Sequence, residues 1–356
     1  MRPSSAKLSK ATVALVAVLA LLALRSVLDL ELSAPLADAS EEPPLVAFAR
    51  QRADANNNII LTYASYSYKV PLMNWLASLA RLGTIGNVGI VCLDVELADY
   101  LASFGETCIK LADMSVAGQR LDLDSVKRLW VLRSEHVVQL LEAGISVALS
   151  DSDAIWLRDP FASGLFSPES GDVVAGKGKF PYDQPWGAAL CMGVIYIRSC
   201  AGAIGLARAA LEATRGSNDD QIGYNRALAA LPGGGASAFQ RKVSAVDNVQ
   251  AVAVLGQGDL RVKVRLVEHD LIPRECQRVT KDKWANAVHV AHCHVADGVP
   301  AATNKNKGNQ KSHFDVLVKY NLYFLGANWE VALKDRTGAG QSLLEALHAL
   351  SSTSPS

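Results

Sequence analysis

The sequence has no surplus of charge of either sign, with 35 Lys and Arg against 35 Asp and Glu in 356 residues. It therefore lacks the basic excess with which nucleic-acid binders collect phosphates, and no nucleic-acid partner is expected. Only one run is apolar enough to meet a bilayer, which excludes a multispanning membrane protein. None of the six cysteines forms a C-x-x-C pair, so a zinc ribbon or dithiol redox motif has no support. There is no N-x-[ST] sequon and no internal repeat. What is present is 50% hydrophobic and 20% charged, the composition of a packed chain rather than a disordered one. At roughly 100 to 200 residues per domain, the length fits one large domain or two small ones.

The apolar run is residues 11–24, preceded by Arg2, Lys7 and Lys10 and followed by Arg25, Asp29, Glu31, Asp38, Glu41 and Glu42. Basic residues before and acidic residues after leave the amino terminus in the cytoplasm and carry the rest across the membrane. Fourteen residues rise only about 21 Å as helix, so the span runs on to Leu30 with Arg25 snorkelling. The expected organisation is a cytoplasmic tail (1–10), a signal anchor (11–30), a stalk (31–56), a folded domain (57–335) and a tail (336–356) that starts as a weak helix and ends in a disordered Ser/Thr stretch. A cleaved signal peptide is the alternative, but the small-x-small stretch Ala37-Asp38-Ala39 lies far beyond the apolar run. A short anchor suits a thin early-secretory membrane, so a single-pass type II protein of the Golgi or endoplasmic reticulum is expected, its domain lumenal. The cysteines would then face an oxidising lumen where one or two disulfides can form, their pairing unreadable from spacing.

From residue 59 short apolar runs alternate with amphipathic segments. Strands are predicted at 59–64, 88–93 and 145–150, and helices over 71–82 and along a long segment carrying Val126, Leu129, Trp130, Val137, Leu140 and Leu141. Gly144 has the place of a C-terminal cap. Apolar runs buried on both faces belong to parallel sheets covered by helices, so an α/β fold is expected. Further strands are predicted around 172–175, 192–198, 262–267 and 287–292, and helices at about 201–213 and 219–230.

The main chemical signal is Asp151-Ser152-Asp153 at the carboxyl end of the strand ISVALS. Open parallel sheets bind ligands outside the carboxyl ends of their strands. Residues i and i+2 of an extended chain share a face, so the two carboxylates repel each other and lose hydration unless a cation compensates. Oxygen ligands favour Mg²⁺ or Mn²⁺, with open positions for diphosphate oxygens. The plain alternative is a solvated acidic turn whose aspartates cap a helix.

The continuation Ala154-Ile155-Trp156-Leu157-Arg158-Asp159-Pro160-Phe161 ends in an Asp-Pro pair with the form of a helix start. With LSDSDAIWLRDPF, the chain carries Asn74-Trp75, Asp172-Val173-Val174, CMGVIYIRS at 191–199, Asp219-Asp220-Gln221 with Asn225, and a late His, Gly and Lys segment. In this order the motifs resemble the nucleotide-diphospho-sugar transferase domain of plants and green algae, glycosyltransferase family 77, over most of residues 58–325. The resemblance implies a GT-A-like fold of mixed, mostly parallel sheet flanked by helices, with a nucleotide-binding half (57–160) and an acceptor half (161–335). It implies a Golgi enzyme using Mn²⁺ and a nucleotide sugar donor, retaining anomeric configuration, with a glycan or glycoprotein acceptor. Asp151 and Asp153 would hold the metal and Ser152 would lie near the ribose. Asp220 and Gln221 would contact the donor sugar or sit beneath the anomeric carbon, with helix capping as the plain reading of one aspartate. Thr62 and Ser65, with Asn74, would border the nucleotide, while Tyr63, Tyr66 and Tyr68 are stacking candidates.

A late His completes the metal shell in such folds and a following Lys meets the diphosphate, which points to His292 or His294 and to Lys305 or Lys307. The chain departs from the expected pattern here, because Cys293-His294 stands where an Asn usually follows. The cluster of His289, His292, Cys293 and His294 also suggests zinc, but no matching Cys or His pair lies nearby. Lys127 and Arg128 would reach the diphosphate or line a solvated face. Gly176-Lys177-Gly178-Lys179 reads as a basic turn bordering the acceptor cleft, and Trp186 as a sugar platform or a buried ring. The competing readings are a catalytically inactive sugar-binding secretory protein and, less favoured, a D-x-D phosphohydrolase, whose aspartates usually follow the first strand.

Overall fold

The computed structural model describes residues 42–83, 86–110, 121–178, 189–232, 240–241, 251–258, 261–274, 276, 279–293, 317–326 and 328–352. The signal anchor, residues 31–41 of the stalk, Lys179, Trp186, His294, Lys305 and Lys307 lie outside them. Among the described residues no helix is long and apolar enough to cross a membrane.

Residues 44–356 form one compact unit. It opens with α1 (Pro44–Arg52), whose Leu45, Val46 and Ala49 are buried, so the domain begins about a dozen residues before the boundary expected from polarity alone. Those three positions make one helical stripe, with Phe48 packed beside it, and burying that stripe outweighs the charge of the flanking residues. Then come β1 (Asn58–Ala64), a 3₁₀ turn at Tyr66–Tyr68, α2 (Lys69–Ala80), β2 (Val88–Cys92), α3 (Val95–Ala102), β3 (Ile109–Lys110), α4 (Leu123–Glu142) and β4 (Ser146–Ser150). Asp94 and Asp122 start α3 and α4 by accepting the backbone N–H of Leu97 and Ser125. Gly144 follows α4 at φ 82°, a left-handed turn that glycine makes without strain.

β5 (Ile155–Trp156), β6 (Val173–Gly178), β7 (Ala189–Ile197), α5 (Ala201–Ser217), α6 (Asp220–Ala230), β8 (Gln240–Arg241), β9 (Ala251–Leu255) and β10 (Val262–Val267) continue the chain. The described part closes with α7 (Lys281–Asn286), β11 (Val290–Ala291), α8 (Trp329–Gly338) and α9 (Leu343–Ser352). Nine strands make one mixed sheet in the order β3-β2-β1-β4-β7-β6-β10-β9-β8. β1 to β4 pair in parallel, and β7 and β9 run against the other strands. The expected α/β class is therefore observed, with both halves sharing a single sheet. One apolar layer packs α2, α3 and α9 on the Ile60 and Ala64 face, and the other packs α1, α4, α5 and α6 on the Ile59 and Leu61 face.

The helix expected at the start of the 336–356 tail is observed at 343–352, with Leu343, Ala346 and Leu347 buried and His348 Nδ1 2.7 Å from the Ala80 carbonyl oxygen. Two other local expectations change. Gly176, Lys177 and Gly178 belong to β6 rather than to a turn, because Lys177 and Gly178 pair with Leu190 and Ala189. After Asp159-Pro160 the chain makes a series of turns and no helix, although Asp159 accepts the N–H of Phe161 and Ala162 as an N-cap does.

Asn74, expected to border the nucleotide, has both polar groups of its side chain engaged within the fold. It is fully buried, donates to the Leu322 carbonyl (3.0 Å) and accepts the Phe324 N–H (2.7 Å), so it fastens the late extended segment to α2. Asn74→Ala orphans two buried backbone groups and is expected to destabilise the fold by about 2–4 kcal/mol, read as a lowered urea midpoint.

Candidate metal and donor site

β4 is buried along its whole length and ends at Ser150, whose hydroxyl accepts both Trp75 Nε1–H (3.0 Å) and Trp156 Nε1–H (3.1 Å). These two indoles fix the strand end from which Asp151, Ser152 and Asp153 emerge. Just beyond, β5 pairs antiparallel with β11, setting Ile155 opposite Ala291 and Trp156 opposite Val290. The same pairing draws residue 292 level with the aspartates, and the backbone N–H groups of Leu157 and Arg158 reinforce it by donating to the His289 carbonyl. Cys293 is tied to Cys276 by a disulfide and the His292 N–H donates to Pro273, so the histidine is held on both sides.

The outcome is a cluster in which one ligand atom each from Asp151, Asp153 and His292 lies within 4.8 Å of the others. His292 Nε2 is 3.7 Å from Asp151 Oδ2 and 3.5 Å from Asp153 Oδ1. These separations exceed an ordinary hydrogen bond and fall below twice the roughly 2.1 Å metal–oxygen distance of Mg²⁺. Two carboxylates and an imidazole are a donor set that fits Mn²⁺ or Mg²⁺. Burial would lower the His292 pKa, yet its contacts with Asp153 and Cys191 carry it well above the usual value.

Gly193 makes the cluster possible. A Cβ there would lie 2.1 Å from His292 Cε1 and 2.8 Å from Asp151 Oδ2. Its carbonyl also accepts the Asp151 N–H at 2.8 Å. Gly193 sits on an irregular stretch of β7: between the pairs Ala175–Ile195 and Lys177–Leu190, β6 advances two residues while β7 advances five. A bulge of this kind re-aims side chains, and here it carries Cys191 and Gly193 toward His292.

The third acid is Asp220. Asp219 caps α6 by accepting the Ile222 N–H, which leaves Asp220 pointing inward and 4% exposed. Asn225 on the same helix exchanges hydrogen bonds with the backbone of Leu190 and so docks α6 against β7. Arg133, on the buried face of α4, joins the two acidic groups: Nη1 donates to Asp151 Oδ1 (3.0 Å), Nε is 3.3 Å from Asp220 Oδ2, and Nη2 donates to the Met192 carbonyl. Sequence reading missed Arg133. Its signal was its spacing, because it falls in the apolar stripe with Val126, Trp130 and Val137, where a cation needs buried partners.

Burial lifts the Asp220 pKa to about 6, with Arg133 opposing the shift and Asp151 and Asp219 adding to it. A folded-state value above the unfolded one means that its stabilising contribution is full below about pH 4 and is lost as pH rises through about 6. Asp220→Asn is therefore expected to gain on the parent protein across that interval and to hold a constant difference above it, as urea unfolding at stepped pH will show.

The remaining candidates separate clearly. Ser152 is buried between the two aspartates. Gln221 lies in the first turn of α6, with its carbonyl accepting from Asn225. Ser65 follows β1 at the same rim, its hydroxyl 2.9 Å from that of Ser67. Thr62 is fully buried within β1 and is inaccessible to a ligand. Lys127 pairs with Asp124 one turn earlier and Arg128 donates to Ser125, so the two serve the N-terminal end of α4 and not the cluster. Tyr63 is buried with its hydroxyl 2.8 Å from His136 Nδ1, and Tyr66 packs edge-on to Tyr100. Cys293 is consumed by its disulfide and a second disulfide joins Cys92 to Cys108, which removes the thiolate of the zinc reading.

Residues 83–301 match the nucleotide-diphospho-sugar transferase family. Over 112 residues the chain is 31% identical to the beta-arabinofuranosyltransferase RAY1 of Arabidopsis thaliana, an alignment taking in 30% of this chain and 21% of that protein. Similar solved structures include the glycosyltransferase GlyE of Streptococcus pneumoniae, at 16% identity with 49% of this chain and 43% of that one covered and a TM-score of 0.33. The galactosyltransferase LgtC, solved with donor and acceptor sugar analogs, is 12% identical, with 77% and 99% covered and a TM-score of 0.40. The chain spans about a fifth of the curated relative it matches and under half of the GlyE chain.

Proposed function

This chain belongs to the nucleotide-diphospho-sugar transferase family, and from that premise we propose that it is a metal-dependent glycosyltransferase of GT-A type. It moves a sugar from a nucleoside diphosphate donor, UDP-linked, to a glycan or glycoprotein acceptor with retention of configuration. The observation that carries this reading is the convergence of Asp151, Asp153 and His292 at the end of β4. Bound there, Mn²⁺ or Mg²⁺ supplies Lewis-acid stabilisation of the charge that grows on the departing nucleoside diphosphate. Asp151 keeps one oxygen on Arg133 and turns the other to the cluster, which fixes its orientation in advance of binding. On the family resemblance we assign Asp220 and Gln221 to the donor-sugar end of the site, Asp220 being buried against Arg133. We assign the domain to the Golgi lumen behind an amino-terminal signal anchor, an assignment supported by the two disulfides, which suit an oxidising compartment.

The test is donor hydrolysis by the purified protein across a panel of nucleotide sugars with and without Mn²⁺. One donor is expected to turn over only with metal, and Asp153→Asn to reduce kcat by about 10²–10³, equivalent to roughly 3–4 kcal/mol of transition-state stabilisation. Its melting temperature should move by no more than a few degrees, because Asp153 is at the rim and not in the core. Donor binding with no turnover would favour the inactive sugar-binding reading, and metal-independent turnover or no binding at all would refute the proposal.

A further inference from the structure

A histidine that ligates a metal through one ring nitrogen needs a partner for the other, since that partner sets the tautomer and the ring orientation. In His292, Nε2 faces Asp151 and Asp153, and the group at Nδ1 is the thiol of Cys191, with Sγ 3.6 Å away. That distance is within hydrogen-bonding range for sulfur. Carboxylates, carbonyls and water are the usual partners in this position.

A buried cysteine is more often a small core hydrophobe than a functional group, but the packing here differs. Cys191 is 2% exposed, yet it belongs to neither apolar cluster, while its neighbours Leu190 and Met192 both pack into the layer that holds α4 and α5. Alternation along β7 turns Cys191 to the opposite face, toward His292. The bulge places it there, and the missing side chain at Gly193 lets the ring lie close against the strand. The imidazole is thus held on one edge by sulfur, against its face by glycine backbone, and through its own backbone by Pro273 and the Cys276–Cys293 disulfide.

We propose that Cys191 is the positioning residue of the metal site, accepting the Nδ1–H of His292 so that Nε2 presents its lone pair to the cation held with Asp151 and Asp153. The inference rests on the metal reading above. It touches no substrate and assigns Cys191 no chemical step.

The test is titration of Mn²⁺ alone into the full protein and its variants, followed by the fall in the free Mn²⁺ electron paramagnetic resonance signal. Cys191→Val, which removes the acceptor at similar volume, is expected to weaken Mn²⁺ binding by about 10- to 100-fold. Cys191→Ser, which keeps an acceptor, should stay within a few-fold of the parent, and Cys200→Val, which removes the other free cysteine, should change nothing. Metal-free melting temperatures report whether each variant folds, and Cys191→Ala replaces the valine variant if that one does not. Parent-like Mn²⁺ affinity in a folded Cys191→Val or Cys191→Ala variant would overturn the inference and leave the metal reading standing. An equal loss in Cys191→Ser would also overturn it, since packing rather than hydrogen bonding would then be responsible. A parent protein that binds no Mn²⁺ would remove both.

Discussion

Gly193→Ala is expected to abolish Mn²⁺ binding and donor turnover in a protein that still folds. The added Cβ would stand 2.1 Å from His292 Cε1, 2.6 Å from Nδ1 and 2.8 Å from Asp151 Oδ2. Contacts this short are not absorbed by small adjustments, so either the imidazole or the carboxylate must leave its place. The ring has little room to retreat, because its backbone is tied to Pro273 and to the Cys276–Cys293 disulfide. Asp151 has little room too, because Arg133 grips its other oxygen. Displacing a catalytic group by about 1 Å can lower a rate by roughly 10²-fold, and here two ligands compete for one space, so a loss of at least that size is expected in kcat. Metal titration and calorimetric melting on the same sample check it. A Gly193→Ala protein with parent-like Mn²⁺ affinity would show that His292 is not a ligand.

Arg133→Met should give the largest loss of stability, about 3–5 kcal/mol, because removing one partner of a buried ion pair leaves the other charge stranded. Arg133 and Asp220 are 9% and 5% exposed at their side chains, and Asp151 at 34% is the only one of the three with real access to water. The guanidinium is held firmly protonated by Asp220 and Asp151 in spite of its burial. Without it, Asp220 loses the cation that opposes its upward shift and takes up a proton at a higher pH still. The double variant Arg133→Met, Asp220→Asn should therefore recover part of the loss, since the buried Asp220 charge is removed together with its partner and only the more exposed Asp151 is left unpaired. Urea unfolding of the four proteins as a double-mutant cycle measures the coupling, and additive losses would mean that the two side chains do not share their burial energy.

Much of the scaffold was legible because its signals are local. The runs IILTYA and ISVALS are apolar on both faces and became central strands, and Leu72, Trp75, Leu76 and Leu79 at helical spacing became the buried side of α2. The acidic pair was legible for the same reason, being two residues at a strand end. What stayed hidden depends on pairing at long range. The resemblance offers His292 or His294 as the third ligand, but the two-residue strands β5 and β11, whose register brings His292 to the aspartates across some 140 residues, are too short to leave a period in the sequence. Cys191 reads as part of an apolar strand until the bulge reverses its direction. Asn74 was legible as a polar residue in a helix, but its partners at Leu322 and Phe324 could be identified only from the fold.

The β5–β11 ladder has a consequence for dynamics. Two residue pairs give little cohesion by themselves, so this miniature ribbon depends on what is anchored at its ends, the Cys276–Cys293 disulfide and the His292 N–H on Pro273 among them. A cation shared by Asp151, Asp153 and His292 would bind those ends together, and occupancy of the cluster becomes readable as slowed deuterium uptake at the amides of residues 155–158 and 290–292. The ribbon would then act as a latch that tightens when the ion arrives, its state read through those seven amide protons.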